Sequence, residues 1–296
     1  MGMFILAHLS DIHLAPLPEP SWRDLIGKRI TGYINWRRKR RFIHDPAVLA
    51  ALTADLKAQN PDHIAVTGDI ANIGLAEEYA HGREFLDSLG NRHDVSFVPG
   101  NHDIYVREAA YFASRRWEAW MSDDQGKSGF PYIRRRGNVA LIGLSSGVPT
   151  APFLATGWLG INQMTALAEL LNDLQKEDLF RVIMIHHPPV SSASRYKRLM
   201  DASVFKRVIA MHGADLILHG HDHEHMINWL DGPNATRVPA IGVPSASAAP
   251  GMDKDNAAYH LYRIGGVPRA WTCEVISRGV TADGTVAEER QFMLGA

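Results

Sequence analysis

Phe4-Ile5-Leu6-Ala7-His8-Leu9-Ser10-Asp11-Ile12-His13 is an apolar run that stops on an Asp-x-His pair. Four other runs stop in the same way. His63 to Thr67 leads into Gly68-Asp69, and Val95 to Val98 leads into Gly100-Asn101-His102-Asp103. Arg181 to Ile185 leads into His186-His187-Pro188-Pro189, and Ala214 to Leu218 into Gly220-His221-Asp222-His223. Short apolar runs bounded by turn residues read as buried strands. Polar groups gathered at strand ends are where α/β sheets assemble their sites.

The residue types specify the chemistry. Two metals roughly 3.5 to 4 Å apart need a bridging carboxylate, imidazole and amide ligands, and open positions for water and phosphate oxygens. Such mixed N/O shells suit divalent Mn, Fe, Zn, Co or Ni without choosing among them. The set contains no thiolate, which excludes a closed zinc-finger-like site. Taken singly, each signature has a plainer reading. Asp11 after Ser10 could cap a helix or form an Asx turn, Asn101 after Gly100 could be a turn former, and His221 and His223 could lie at the surface. Turns alone do not require five strand ends to carry metal-binding side chains.

With D-x-H, G-D, G-N-H-D, a strand ending in His, and G-H-x-H all present in order, the chain resembles the calcineurin-like metallophosphoesterases. The resemblance implies a four-layer α/β/β/α sandwich, with two mixed β-sheets flanked by helices. It also implies a dinuclear centre of two divalent metal ions, in which Asp11, His13 and His223 hold one ion, Asn101, His186 and His221 the other, and Asp69 bridges them. His102 is then no ligand but lies over the phosphate and either stabilises charge or protonates the leaving oxygen, with Asp103 orienting it from behind. The reaction implied is hydrolysis of a phosphodiester bond by a metal-bound hydroxide. Between the adjacent His186 and His187, strand alternation lets only one face the site. His186 is the expected ligand and His187 a packing residue beside Pro188.

Composition is compatible with this. With 296 residues, 46% hydrophobic and 21% charged, the chain can bury a large core. A single domain over residues 1–296 is expected. A net charge of -1 offers no whole-surface attraction to nucleic acid. Cys273 is the lone cysteine, so no intrachain disulfide can form. That suits a reducing compartment. The start of the chain lacks a basic leader and runs directly into Asp11-Ile12-His13. A cytoplasmic location is expected on those grounds, and no apolar stretch approaches bilayer-spanning length.

Between the strands, the spacing predicts helices. Asp45-Pro46 is an N-cap followed by a good first helical residue, and Val48, Leu49, Leu52 and Leu56 recur at three- and four-residue steps. Leu75 to Leu89, Glu108 to Met121 and Asn162 to Gln175 read likewise, and Val139 to Leu144 reads as another strand. From Met226 onward, alternating segments such as Ala257-Tyr259-Leu261-Arg263 and Trp271-Cys273-Val275 predict antiparallel strands.

Residues 20–44 stand apart. Trp22, Ile26, Ile30, Tyr33, Ile34 and Trp36 accompany seven Lys or Arg from Lys28 to Arg41. Such a segment fits a membrane-interface element through residues 22–42, which would place the protein at the inner face of the membrane. It equally fits aromatic side chains covering the core beneath a solvated basic face. A short patch on a neutral chain is a poor footprint for nucleic acid. Gly68-Asp69-Ile70-Ala71-Asn72-Ile73-Gly74, followed by Glu77-Glu78-Tyr79, is similar to the branch containing cyclic-nucleotide and glycerophosphodiester phosphodiesterases. A small phosphodiester is thus the first substrate expectation. The insertion raises a second, a nucleotide-linked lipid of the UDP-diacylglucosamine type cleaved by a pyrophosphatase at the membrane surface. A nuclease or a non-catalytic scaffold is a further alternative, weighed against by the complete ligand set.

Overall fold

The computed structural model describes residues 2–268 and 270–295. Its first sheet is built around β1 (Phe4–Leu9), β2 (His63–Val66) and β3 (Val95–Phe97), which run parallel. The second sheet starts with the antiparallel pair β4 (Tyr132–Arg136) and β5 (Val139–Gly143). It continues in parallel through β6 (Phe180–Met184), β7 (Leu216–His219) and β9 (Arg237–Gly242), with β8 (Met226–Asp231) antiparallel at its edge. The chain then returns to the first sheet as three antiparallel strands, β10 (Ala258–Val267), β11 (Ala270–Val280) and β12 (Val286–Leu294). Two six-stranded mixed sheets result.

The near-continuous apolar runs are explained by burial on both faces. Along β5, Val139 and Leu141 join the core between the sheets, while Ala140 and Ile142 pack outward against a second core. Val182 and Ile183 of β6 divide in the same way. The outer helices on that side are α6 (Ile161–Leu174) and α7 (Ala202–His212), which contribute Met164, Leu167, Leu171, Phe205 and Ile209. On the first sheet, α3 (Pro46–Ala58) buries Val48, Leu49, Leu52 and Leu56. Asp45 accepts a hydrogen bond from the Ala47 N–H, and Pro46 opens the helix. The four layers are therefore α/β/β/α.

Two expectations shift in detail. The helix expected over Glu108–Met121 is α5 (Arg107–Arg116), followed by a separate 3-10 turn at Glu118–Trp120 that buries Trp120. The 20–44 insertion is largely helical, with α1 (Lys28–Asn35), a π-helical turn at Trp36–Arg40 and a short α2 (Arg41–Ile43). It is anchored from below. Arg29 donates to the Ile73 and Gly74 carbonyls, and Tyr33 and Trp36 pack on Leu17, Ile73, Leu75 and Tyr105. Trp22, Ile26, Ile30, Ile34 and Phe42 remain exposed.

Candidate metal centre

The loops after β1, β2, β3, β6 and β7 meet at one end of the two sheets. Backbone bonds stitch them together: the Asp11 N–H donates to the Gly68 carbonyl and the His13 N–H to the Asp69 carbonyl. Five of the nine non-glycine residues with positive φ among the described residues are Asp11, His13, Asp69, His221 and His223. Side chains seldom adopt that region, and strained backbone of this kind concentrates at sites that aim groups inward. The glycines make room. A Cβ at Gly68 would stand 2.7 Å from both the Gly100 nitrogen and His186 Nδ1, and one at Gly220 would overlap Ser10 Oγ and Asp11 Oδ2.

Two groups of ligand atoms form, Asp11 with His13 and His223, and Asp69 with His186 and His221, each within 4.8 Å. His223 Nε2 lies 3.1 Å from Asp11 Oδ1, and His186 Nε2 lies 3.2 Å from Asp69 Oδ2. That Asp69 oxygen is also 3.9 Å from His13 Nε2, so one carboxylate faces both groups. His13 and His186 are turned inward because their Nδ1 atoms bond the Ala71 and Thr67 carbonyls. A backbone partner on the far nitrogen is the usual way a ligand imidazole is held. His187 differs. Its Nδ1 pairs with Ser146 Oγ and its Nε2 with the Ala155 carbonyl, leaving neither nitrogen for the centre.

The donor set fits two divalent ions. Asn101 Oδ1 and Asp11 Oδ1 are buried without any hydrogen bond, an arrangement that normally costs free energy unless a cation completes it. Burial alone would raise the Asp11 and Asp69 carboxyls, but neighbouring histidines hold Asp11 at about 2 and Asp69 well below the usual range. Burial, then Arg40 and nearby histidines, lowers His13 far enough to keep it neutral. Burial also pulls His186 down, yet Asp69 and Asp11 outweigh it and raise the ring to about 10. A metal ion would displace that proton, since ligand imidazoles bind in the neutral form.

The family model for calcineurin-like phosphoesterases matches residues 4–225. The chain is a calcineurin-like phosphoesterase. The family uses a dinuclear divalent metal centre, which the two ligand groups of this chain fit. It is 29% identical over 192 residues to glycerophosphodiester phosphodiesterase GpdQ of Enterobacter lignolyticus, covering 63% of this chain and 57% of the relative's length. It is 26% identical over 229 residues to a probable cyclic nucleotide phosphodiesterase of Synechococcus, covering 75% of this chain and 74% of that one. In fold it is similar to a dimetal phosphatase from Danio rerio, with a TM-score of 0.65 at 13% identity over 98% of both chains.

Within this phosphoesterase, one expected contact is absent. Asp103 does not touch the His102 ring; its carboxylate accepts N–H bonds from Asp69, Ile70, Ala71 and Gly100, clamping two site loops together. Burial and the Asp69 charge, opposed by those bonds, raise the Asp103 carboxyl to about 7. The His102 ring is instead held through Nδ1 by the Asn72 carbonyl, and Glu78 fixes that segment by accepting the Asn72, Ile73 and Leu75 N–H groups. Asn72 Nδ2 is spent on the Leu14 carbonyl. Two residues near the centre escaped the sequence reading. The His44 ring lies tilted 4.5 Å from the His13 ring and bonds Ser247 Oγ. Arg40 reaches the centre from the insertion, with Nη2 2.6 Å from His13 Nε2. Neither belongs to a strand-end motif, and a basic run carries no mark of which arginine turns inward.

Proposed function

We propose that this protein hydrolyses phosphodiesters, with Asp11, His13 and His223 holding one metal, Asn101, His186 and His221 the other, and Asp69 shared. The observation that carries the reading is Asp69, whose carboxylate faces both ligand groups at the floor of a cavity of about 610 Å³. When bound, the two ions supply Lewis acidity, lowering the pKa of water and neutralising phosphoryl oxygens. The chain's own residues do the rest. His102 lines the same cavity, its Nδ1–H donates to the Asn72 carbonyl, and its Nε2, 2.9 Å from Arg40 Nη1, would serve the leaving oxygen once freed from that contact. Lys39 and Lys197 at the rim attract an anionic substrate. A cavity of about 610 Å³ has room for both substituents of a small phosphodiester, and the two named relatives are a phosphodiesterase and a probable one.

The test is a Mn²⁺-loaded assay of bis-p-nitrophenyl phosphate against p-nitrophenyl phosphate, extended to cyclic AMP and a glycerophosphodiester. Faster turnover of diesters is expected; preference for the monoester overturns the reading, and inactivity with metals bound leaves a scaffold. A second reading, cleavage of a nucleotide-linked lipid such as UDP-diacylglucosamine at a membrane surface, is favoured by one feature. Trp22, Ile26, Ile30 and Ile34 are exposed at four-residue steps beside exposed Arg37, Arg38, Lys39 and Arg41. Co-sedimentation with anionic vesicles, lost on removal of residues 22–42, would support it. No helix among the described residues is long and apolar enough to cross a membrane.

A further inference from the structure

Arg40 closes the π-helical turn Trp36–Arg40, and it is oriented unlike its neighbours. Arg37, Arg38 and Lys39 are exposed, whereas Arg40 is half-buried and points to the metal ligands. A π turn inserts one residue into the helical repeat and re-aims the side chains that follow, which is why such turns recur at functional sites. Arg40 Nη1 lies 2.9 Å from His102 Nε2, and Nη2 lies 2.6 Å from His13 Nε2. Burial lowers the guanidinium somewhat, but it remains a cation in the field of Asp69 and Asp11. Among the described ion pairs no carboxylate is matched to it, while Arg29, Arg136 and Arg278 each have one. A desolvated cation without a carboxylate, lining a cavity that Lys39 and Lys197 also border, is set to receive an anion from outside.

We propose that Arg40 is the insertion's contribution to substrate binding, gripping the non-bridging oxygens of the scissile phosphoryl group. The inference rests on the phosphoester reading of the same site. The guanidinium spans His102 and His13, in the field of the Asp69 carboxylate that both ligand groups share. The planar fork of arginine matches two oxygens of one phosphate in a way that a lysine point charge does not. His13 Nε2 has one lone pair and cannot serve both Arg40 and a metal. With a metal on His13 Nε2, the guanidinium would turn from the imidazole toward the cavity, where phosphoryl oxygens could reach it. The insertion then does two things: its buried face seats on Ile73 and Tyr105, and Arg40 reads phosphate.

The experiment titrates Mn²⁺-loaded protein with inorganic phosphate by calorimetry, with metal content measured in parallel. Arg40→Ala is expected to keep two metals and to weaken phosphate binding by about 10- to 100-fold, the range for charge-assisted bonds. Arg40→Lys should recover only part of that loss. Arg83→Ala, a charge-matched control on an exposed helix face, should stay within about twofold of the parent. The kcat/KM for bis-p-nitrophenyl phosphate should fall in step with phosphate affinity. Should Arg40→Ala fail to fold, Arg40→Gln, which keeps the stem and one donor, answers the same question. Phosphate affinity within about twofold of the parent with both metals bound overturns the proposal. Loss of metal from the variants overturns it too, making Arg40 a support for His13. A parent that binds phosphate but cleaves no diester would instead remove the phosphodiester reading and leave Arg40 standing.

Discussion

His102 and Asp103 are adjacent in sequence but serve different parts of the centre. His102 faces the cavity and touches no ligand group's far nitrogen, so His102→Ala should keep both metals and lose about 10²- to 10⁴-fold in kcat, the usual worth of general acid–base catalysis. Metal analysis beside steady-state kinetics checks this; metal loss would reassign His102 to structure. Asp103 acts through the loops. Removing a buried acceptor of four N–H groups leaves those donors unpaired, so Asp103→Ala should lower unfolding free energy by about 3 kcal/mol or more and reduce metal occupancy. An Asp103→Ala protein as stable as the parent, slowed only in turnover, would restore the simple orienting role.

At the scale of elements, α4 (Ala76–Leu89) and α5 act as a brace behind the centre. Tyr79 donates to the Asp103 carbonyl, and the Trp117 indole N–H donates to the Tyr79 carbonyl. The brace needs close approach at Gly82, where a Cβ would come within 2.9 Å of Ile70 Cγ2 and press into the Trp117 ring. Gly82→Ala gains helix propensity but overpacks this contact, so a net loss of about 1–3 kcal/mol is expected by denaturant unfolding. The insertion is the other element with a separable role. Ile26→Ser with Ile34→Ser removes exposed apolar surface only, so turnover of soluble diesters should hold while any vesicle binding falls. Unchanged vesicle binding would mean the stripe contacts no lipid.

For the whole molecule, the first sheet and its helix are tied by a network that is remote from the metals. Arg278 on β11 pairs with Asp55 on α3 at 2.7 Å, and the Tyr259 hydroxyl donates to the same carboxylate. Burial alone would raise the Asp55 carboxyl, but those bonds hold it below its ordinary value. A depressed carboxyl stabilises the fold above its unfolded value of about 4 and loses that contribution as pH falls through the lower folded value. Asp55→Asn should therefore cost about 1 kcal/mol at pH 7, a figure discounted for solvent screening, and less at an acid pH below the unfolded value of about 4. Urea unfolding at both pH values checks it. Cys273, buried with its thiol pushed up to about 12, should resist Ellman's reagent until the protein unfolds.

The strands, their polar ends and the family pattern were legible in the chain because apolar runs and ligand residue types are local properties. Phe4–Leu9 followed by Asp11 and His13 announces a buried strand ending at a site, whatever surrounds it. The same locality explains the Asp45 cap and the α3 stripe. What required the folded chain depends on partners far away in sequence. His186 and His187 share every local feature, and only the Thr67, Ser146 and Ala155 contacts separate them. Asp103 lies beside His102, yet its lone pairs are claimed by Asp69, Ile70, Ala71 and Gly100. In a run of Arg37, Arg38, Lys39, Arg40 and Arg41, composition promises a basic surface; the π turn, seated by Trp36 on Leu17 and Ile73, sends Arg40 alone to His13 and His102 at the candidate metal centre. Side-chain direction is set by the packing of the whole element, and that packing is a tertiary quantity.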